Sequence, residues 1–324
     1  MKRILHVVPG LSEQWSGIAV AARLIAEEQG AELADAKDVV RETIEGFDEI
    51  WVHSTWSCCV WRACRLALSA GKRLVRMPHG NLDPVRLKYH WRRKWLAGPV
   101  ERCYLRRASR IVVTCEAERS WIERYLGKKC PPIELVDLKR FFDLNRVEHV
   151  DRVEFRPMHL LYLGRRHPLK GLEYLEAAVA ELNSNPVNPV NPVQNSSTRS
   201  TRSTRPNISA HSAPLRLCVK IISSAFGEEK EKAWEWCDVL VLPTLSENFG
   251  LVVAEALEQG KRVITTDGAP AWGDGLSRVE RVDGELWSGY GGRLIYIRGY
   301  RNGSSEDRVR LLKEAIVSLA NAER

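Results

Sequence analysis

Residues 238–268, DVLVLPTLSENFGLVVAEALEQGKRVITTDG, constrain the fold more than any other stretch of the chain. Asp238-Val-Leu-Val-Leu is an apolar run that Pro243 closes, and it reads as a buried strand. A short loop follows, then an amphipathic helix stopped by Gly260, then a second apolar run from Arg262. Strand, helix and strand in this order make a crossover between parallel strands. The same geometry places two carboxylates. Glu247 lies in the loop just before the helix, and Glu255 is expected about two turns inside it. Eight positions at about 100° each leave them within roughly 80° around the axis and about 12 Å apart along it. Asn248, Phe249 and Gly250 bring backbone N–H groups without intrahelical partners to the helix start, a natural seat for phosphate.

Two glutamates eight apart are common in a chain that is 28% charged, and alone they read as a solvated helix face. Beside an anion seat they become two hydroxyl acceptors flanking a phosphate, the pattern of a nucleotide-sugar pocket.

The rest of the chain repeats the alternation. In the first half, residues 4–8, 49–53, 73–76 and 110–115 read as strands and 18–29, 61–70 and 116–126 as helices. The second half restarts with a strand at 159–163 and the loop Gly164-Arg-Arg-His-Pro-Leu-Lys-Gly171. A helix to about residue 182 and a strand at 215–222 follow. Apolar positions at Leu311, Leu312, Ala315, Ile316 and Leu319 predict a terminal helix. At 324 residues, two such series predict two α/β domains, 1–150 and 151–305, with 306–324 as a C-terminal helix. Three copies of Asn-Pro-Val at 185–193 and three of Ser-Thr-Arg at 197–205 cannot build a core. Residues 183–213 are therefore expected to be a disordered surface insertion. No Gly-x-Gly-x-x-Gly follows a strand, which argues against a dinucleotide oxidoreductase.

Charge is concentrated. Between Arg86 and Arg110, nine Lys or Arg residues face one acid, Glu101, so residues 86–110 carry the whole formal excess of +8. Tyr89, Trp91, Trp95 and Tyr104 are interleaved with them. Such helices suit an anionic membrane surface or a lipid-linked acceptor. A solvated face with its aromatics turned inward is the plain alternative, and nucleic acid, which would also suit them, is not the expected partner. No run of 18 apolar residues exists, so no membrane span is expected. The apolar run after Met1-Lys-Arg is only strand-length, so no signal peptide is read. Eight cysteines without a Cys-x-x-Cys pair fit reduced core thiols. The expected location is the cytoplasm, with peripheral contact on the inner face of the membrane through 86–110.

The ordered string Asp238-Val-Leu-Val-Leu-Pro, Ser246-Glu-Asn-Phe-Gly, Ala254-Glu-Ala-Leu, Gly260 and Arg262-Val-Ile-Thr-Thr-Asp resembles the donor-site signature of family 4 glycosyltransferases, retaining enzymes of the GT-B fold. The resemblance implies two Rossmann-like doubly wound domains facing a central cleft, acceptor side first and donor side second. It implies hexosyl transfer, with retention, from a nucleotide-diphosphate sugar to a glycan or lipid-linked acceptor in cell-surface polysaccharide or lipopolysaccharide synthesis. Arg165 and Lys170 match the loop that binds the donor's phosphates. Without a metal, a diphosphate leaving group needs such fixed cations and backbone dipoles. Glu255 matches the glutamate on the ribose hydroxyls, and Glu247 the one on the transferred sugar. The backbone at Asn248, Phe249, Gly250 and Leu251 completes the phosphate cradle, and Gly17 lets the first loop approach it. His79, in Pro78-His-Gly, is implied to contact the donor sugar near the reaction centre, and His53 to bound the acceptor pocket. Asp83 is a candidate for orienting the acceptor. His79, Glu247, Arg165 and Lys170 are thus the catalytic candidates. The leaving phosphate itself takes the acceptor's proton on the same face, so no protein nucleophile is sought. No Asp-x-Asp motif or His/Cys cluster with metal-ligand spacing occurs, so neither a metal nor a cofactor other than the donor is expected.

Two places depart from the pattern. The junction reads Pro132-Ile-Glu-Leu-Val-Asp137 where the family carries Pro-Asn-Gly, and the repeat insertion takes the place of a glycine-rich strand end. The departures keep another class open: a degenerate GT-B protein that binds a sugar nucleotide or a membrane partner without turnover. An epimerase on the same fold would need an acid–base pair that no residues here supply.

Overall fold

In the computed structural model, residues 2–13, 16–146, 157–184, 215–223, 225–278 and 286–322 are described. The first unit runs β1 (Ile4–Val8), α1 (Gly17–Gln29), β2 (Glu32–Asp35), α2 (Arg41–Glu45), β3 (Glu49–His53), α3 (Cys58–Ser69) and β4 (Arg73–Met77). It continues through α4 (Pro84–Lys88), α5 (Trp91–Arg106), β5 (Arg110–Val113), α6 (Glu116–Leu126) and β6 (Ile133–Leu135). Its six strands are all parallel, in the order β2-β1-β3-β4-β5-β6.

The second unit runs β7 (Met158–Leu163), α7 (Leu172–Ser184), β8 (Leu217–Ile222), α8 (Glu228–Trp236), β9 (Val239–Leu242), α9 (Leu251–Glu258) and β10 (Arg262–Thr266). It ends with β11 (Ser277–Arg278), β12 (Leu286–Gly289), β13 (Leu294–Ile297) and α10 (Ser305–Ala322). The order is β11-β12-β13-β10-β9-β7-β8, parallel except at the β11–β12 and β12–β13 pairs.

Central strands are rich in apolar residues because helices cover both their faces. Every residue of β3 and β9 is buried. The terminal helix uses the apolar stripe read from its sequence: Leu311, Leu312, Ala315, Ile316 and Leu319 pack with Leu175, Ala178 and Leu182 of α7. One further apolar cluster crosses between the units, joining Trp51, Val75 and Met77 to Leu161, Leu240 and Val253.

Several elements escape the sequence pattern. β2 and β6 are edge strands of four and three residues, too short for a periodic signal. α8 is nine residues dominated by charge in its first turn. The insertion expected at 183–213 falls on undescribed residues from 185 onward, but its first two residues belong to α7. Asn183 clamps the next strand, its amide contacting the Leu217 carbonyl and N–H at 3.2 Å each. The expected boundary at 150 lies outside the described residues.

Candidate active site between the two sheets

The carboxyl edges of the two sheets face each other, and their loops touch. Arg86 of α4 donates to the Ser246 hydroxyl at 3.0 Å and to its carbonyl at 3.3 Å. Asp83 accepts from the Ser246 hydroxyl at 2.5 Å and pairs with Arg301. Thr114 Oγ1 lies 3.1 Å from Asn248 Oδ1. A Cβ built on Gly80 would stand 3.0 Å from the Asn248 side chain, and one on Gly17 would stand 3.7 Å from Leu251. Gly17 is the first residue of α1, whose N-cap is Ser16, so two helix starts, α1 and α9, meet at this seam.

The donor-side loop follows β7. Arg165 is exposed and Lys170 is partly covered. Lys170 Nζ contacts the Glu247 carboxylate directly. Burial, aided by the Arg86 and Arg165 guanidinium groups, lowers Lys170 to about 7, while its ion pair with Glu247 acts in the opposite direction. Arg86 also approaches Glu247, at 3.9 Å. Two cations, Lys170 and Arg86, thus approach one carboxylate, and Arg165 adds its charge beside Lys170. Arg166 turns away to Glu176, and His167 caps the turn at 168–170 while its ring meets Tyr89 of the first unit at 5.1 Å.

The loop carrying Glu247 is held by close packing. Glu247 N donates to the Gly268 carbonyl at 2.7 Å, and a Cβ on Gly268 would stand 2.0 Å from the Thr244 carbonyl oxygen. Gly250 sits at φ +71° immediately before α9, in the left-handed region that glycine adopts freely. No side chain caps α9, and with Val253 N donating to the Gly250 carbonyl at 2.9 Å the N–H groups of Leu251 and Val252 are the ones open to an anion. The Phe249 carbonyl accepts from Trp272 Nε1 at 2.5 Å, which fixes the turn. Glu255 lies just over one turn into α9 rather than two, because the helix begins only at Leu251. Its carboxylate pairs with Lys230 of α8 at 2.8 Å.

His79 follows β4 at φ +56° and is 4% exposed. A left-handed non-glycine residue is a strained position, and Glu118 supports it by accepting from Gly80 N at 2.5 Å and from Thr114 N at 3.0 Å. His53 is fully buried between His6 and His79, so its side chain bounds no acceptor pocket. Asp83 is equally buried and occupied by Ser246, Arg301 and the N–H of Val85, so it ties loops together rather than facing an acceptor.

Both units match glycosyltransferase family models: glycosyl transferase 4-like domain over residues 7–137 and glycosyl transferases group 1 over residues 157–283. The chain belongs to the GT-B glycosyltransferases. Solved structures share the fold of this glycosyltransferase along its whole length. Sucrose-phosphate synthase from Thermosynechococcus elongatus aligns with TM-score 0.62 at 14% identity, covering 100% of this chain and 92% of that one. Anabaena Alr3699/HepE in complex with UDP and glucose aligns with TM-score 0.57 at 13% identity, over 100% and 92%. An E. coli trehalose-6-phosphate structure bound with UDP-2-fluoro glucose aligns with TM-score 0.57 at 11% identity, over 99% and 92%. No curated protein matches the sequence.

The basic segment of this glycosyltransferase divides. Arg86 turns into the seam, whereas Trp91, Trp95 and Leu96 on α5 are 59%, 74% and 72% exposed. Tyr104 packs against the core, so only part of the segment turns its aromatics inward. Trp56, Leu87, Trp91, Trp95 and Tyr125 line an open groove of about 500 Å³ with Lys94 and Arg102 at its wall. Glu101, the segment's single acid, is buried and accepts from Arg76 at 2.8 Å and Trp61 at 2.7 Å, anchoring α5 to the sheet. Among the described residues no helix is long and apolar enough to cross a membrane.

Sequence reading missed Arg301, Glu118, Lys230 and Gln29 as participants, and placed Arg86 on the surface. Each is a single charged or polar residue without a local pattern. Only the folded chain brings them to the seam or to the residues behind it.

Proposed function

We propose that this glycosyltransferase moves a hexosyl group from a nucleoside-diphosphate sugar to a glycan or lipid-linked acceptor, with retention of configuration and without a metal. The observation that carries the reading is the contact of Lys170 with Glu247, with Arg165 and Arg86 alongside and the uncapped start of α9 in the same loop. Three cations and a helix N-terminus supply the charge that a departing diphosphate needs. Glu247 holds a hydroxyl of the sugar, Glu255 the ribose, and His79 approaches the sugar from the first unit. The leaving phosphate oxygen accepts the acceptor's proton, and the protein contributes position and field. These roles, like membership of family 4, rest on the resemblance of the motif string and on this placement. The UDP and glucose in the Anabaena structure and the UDP-2-fluoro glucose in the E. coli one make UDP-hexoses the first donors to test.

The exposed Trp91, Trp95 and Leu96 beside Arg92 and Arg93 support an acceptor presented at an anionic membrane surface. On this reading the reaction runs at the cytoplasmic face, in cell-surface polysaccharide or lipopolysaccharide synthesis.

The test is donor turnover. Purified protein incubated with UDP-, GDP- and ADP-hexoses is expected to release the nucleotide from one of them, with Glu247→Ala reducing the rate about a hundredfold or more. Tight binding of a donor with no turnover towards any acceptor would favour the binding-only reading instead.

A further inference from the structure

Three buried imidazoles form a continuous chain across the first sheet and end at the seam. His6 lies on β1, His53 ends β3 and His79 follows β4, and these three strands are neighbours. The register pairs His6 with Trp51 and His53 with Met77. Residues two apart on a strand share a face, which brings the three rings to one side of the sheet. His6 stacks on Trp51 with ring centroids 4.8 Å apart. His6 Nε2 lies 3.0 Å from Gln29 Oε1 at the end of α1. His6 Nδ1 lies 2.9 Å from His53 Nε2, and His53 Nδ1 lies 2.8 Å from His79 Nε2. Among the described residues, nothing else bonds the rings of His53 and His79, and His79 Nδ1 has no protein partner.

A neutral imidazole donates through one nitrogen and accepts through the other. Burial keeps all three neutral: it lowers His6 to about 4 and His79 to about 3, and holds His53 well below its ordinary value. With one proton per ring, every link must point the same way, so the chain has two proton orders and no others. The group at the outer end selects between them. Gln29 turns its amide oxygen, an acceptor, to His6, and with that end presented His6 donates through Nε2. His6 Nδ1 then accepts from His53 Nε2, and His53 Nδ1 accepts from His79 Nε2. The last ring is left with its lone pair on Nδ1.

We propose that Gln29, His6 and His53 are positioning residues that fix His79 as the Nε2–H tautomer, so that its Nδ1 accepts a hydrogen bond from a hydroxyl of the donor sugar. The ligand assigned to Nδ1 rests on the reading of the seam as a sugar-nucleotide site. The proton order rests on the hydrogen-bond geometry, with the Gln29 amide turned oxygen-first to His6. A purely structural role would fix the ring's place but would be indifferent to which nitrogen carries the proton.

Gln29 is half-buried at the end of α1 opposite the one that meets the seam. Gln29→Lys puts a donor at the outer end and reverses every link, so His79 Nδ1 gains the proton. Gln29→Glu keeps an acceptor there and preserves the order. Imidazole ¹⁵N NMR reads the tautomers directly. His79 Nδ1 is expected to be unprotonated in the parent and in Gln29→Glu, and protonated in Gln29→Lys. With UDP-glucose, GDP-mannose and ADP-glucose as donor probes, kcat/KM is expected to fall about tenfold in Gln29→Lys and to be restored in Gln29→Glu. The same His79 tautomer in all three proteins, or equal kcat/KM in the Lys and Glu variants, would overturn the proposal. Parent protein that neither binds nor turns over any nucleotide sugar would overturn the reading of the seam and the ligand of Nδ1, while NMR would still decide the proton order.

Discussion

Asp83 and Ser246, 163 residues apart, share a 2.5 Å hydrogen bond that joins the two units. Both side chains are fully buried. The same Asp83 carboxylate caps α4 at Val85 N and pairs with Arg301 just before α10. One side chain therefore ties a helix start in the first unit to two loops of the second.

Removing that carboxylate should loosen the closed arrangement. Asp83→Ala deletes a helix cap and leaves the Arg301 charge and the Ser246 hydroxyl without their partner, an expected loss of about 3–5 kcal/mol. Ser246→Ala removes one bond and should lose only about 1–2 kcal/mol. Thermal melts of the two variants check the order, and equal stabilities would contradict it.

Lys170 sets a pH dependence for donor binding. In the free protein it stands at about 7, lowered by burial and then by Arg86 and Arg165. A bound diphosphate favours the ammonium and raises it again. Binding then takes up a proton only above about pH 7. Donor affinity should be flat below that pH and weaken above it by up to about tenfold per unit. Lys170→Arg keeps its charge throughout and should flatten the profile. Calorimetric titrations from pH 6 to 9 distinguish the two shapes.

Gly268 is a packing requirement. A methyl group there would meet the Thr244 carbonyl at 2.0 Å and the Leu245 backbone at 2.8 Å. Backbone must move to admit it, and Glu247 N is bonded to the Gly268 carbonyl. Gly268→Ala is expected to destabilise the second unit by about 2–3 kcal/mol and to displace Glu247. A melting temperature equal to the parent's would contradict this account of the loop.

The exposed aromatics of α5 should read out on lipid. Trp91→Ser with Trp95→Ser should reduce sedimentation with vesicles containing anionic lipid by roughly tenfold, with little change in melting temperature. Equal binding by parent and variant would remove α5 from the membrane contact. Binding to neutral vesicles as strong as to anionic ones would contradict the electrostatic part.

Much of this was legible in the chain itself, for a physical reason. Strands buried on both faces write apolar runs: β9 without a break, β1 and β7 with one histidine inside, and β3 and β10 with polar residues at their ends. The loop around Glu247 and the loop before Lys170 are also local, because strand, turn and helix are contiguous there. What the sequence hides is long-range. The pairings of Asp83 with Ser246 and Arg301, of Glu118 with Gly80, and of Lys230 with Glu255 join residues that share no periodic pattern. The histidine chain is hidden likewise: His6 and His53 sit on β1 and β3 and His79 just past β4, and only the strand order makes them neighbours. Arg86 misled because its sequence neighbours are basic and exposed, while its own side chain bends into the seam.

The measurement that bears most directly on the central claim is a titration of UDP-, GDP- and ADP-hexoses into the parent protein and into Lys170→Met, followed by calorimetry. One donor class is expected to bind the parent at micromolar concentration, with affinity about a hundredfold lower in the variant because a charge-assisted contact to the diphosphate is lost. Equal affinity in the two proteins, or no heat with any donor in the parent, would contradict the assignment of the Lys170–Glu247 loop as the diphosphate-sugar site.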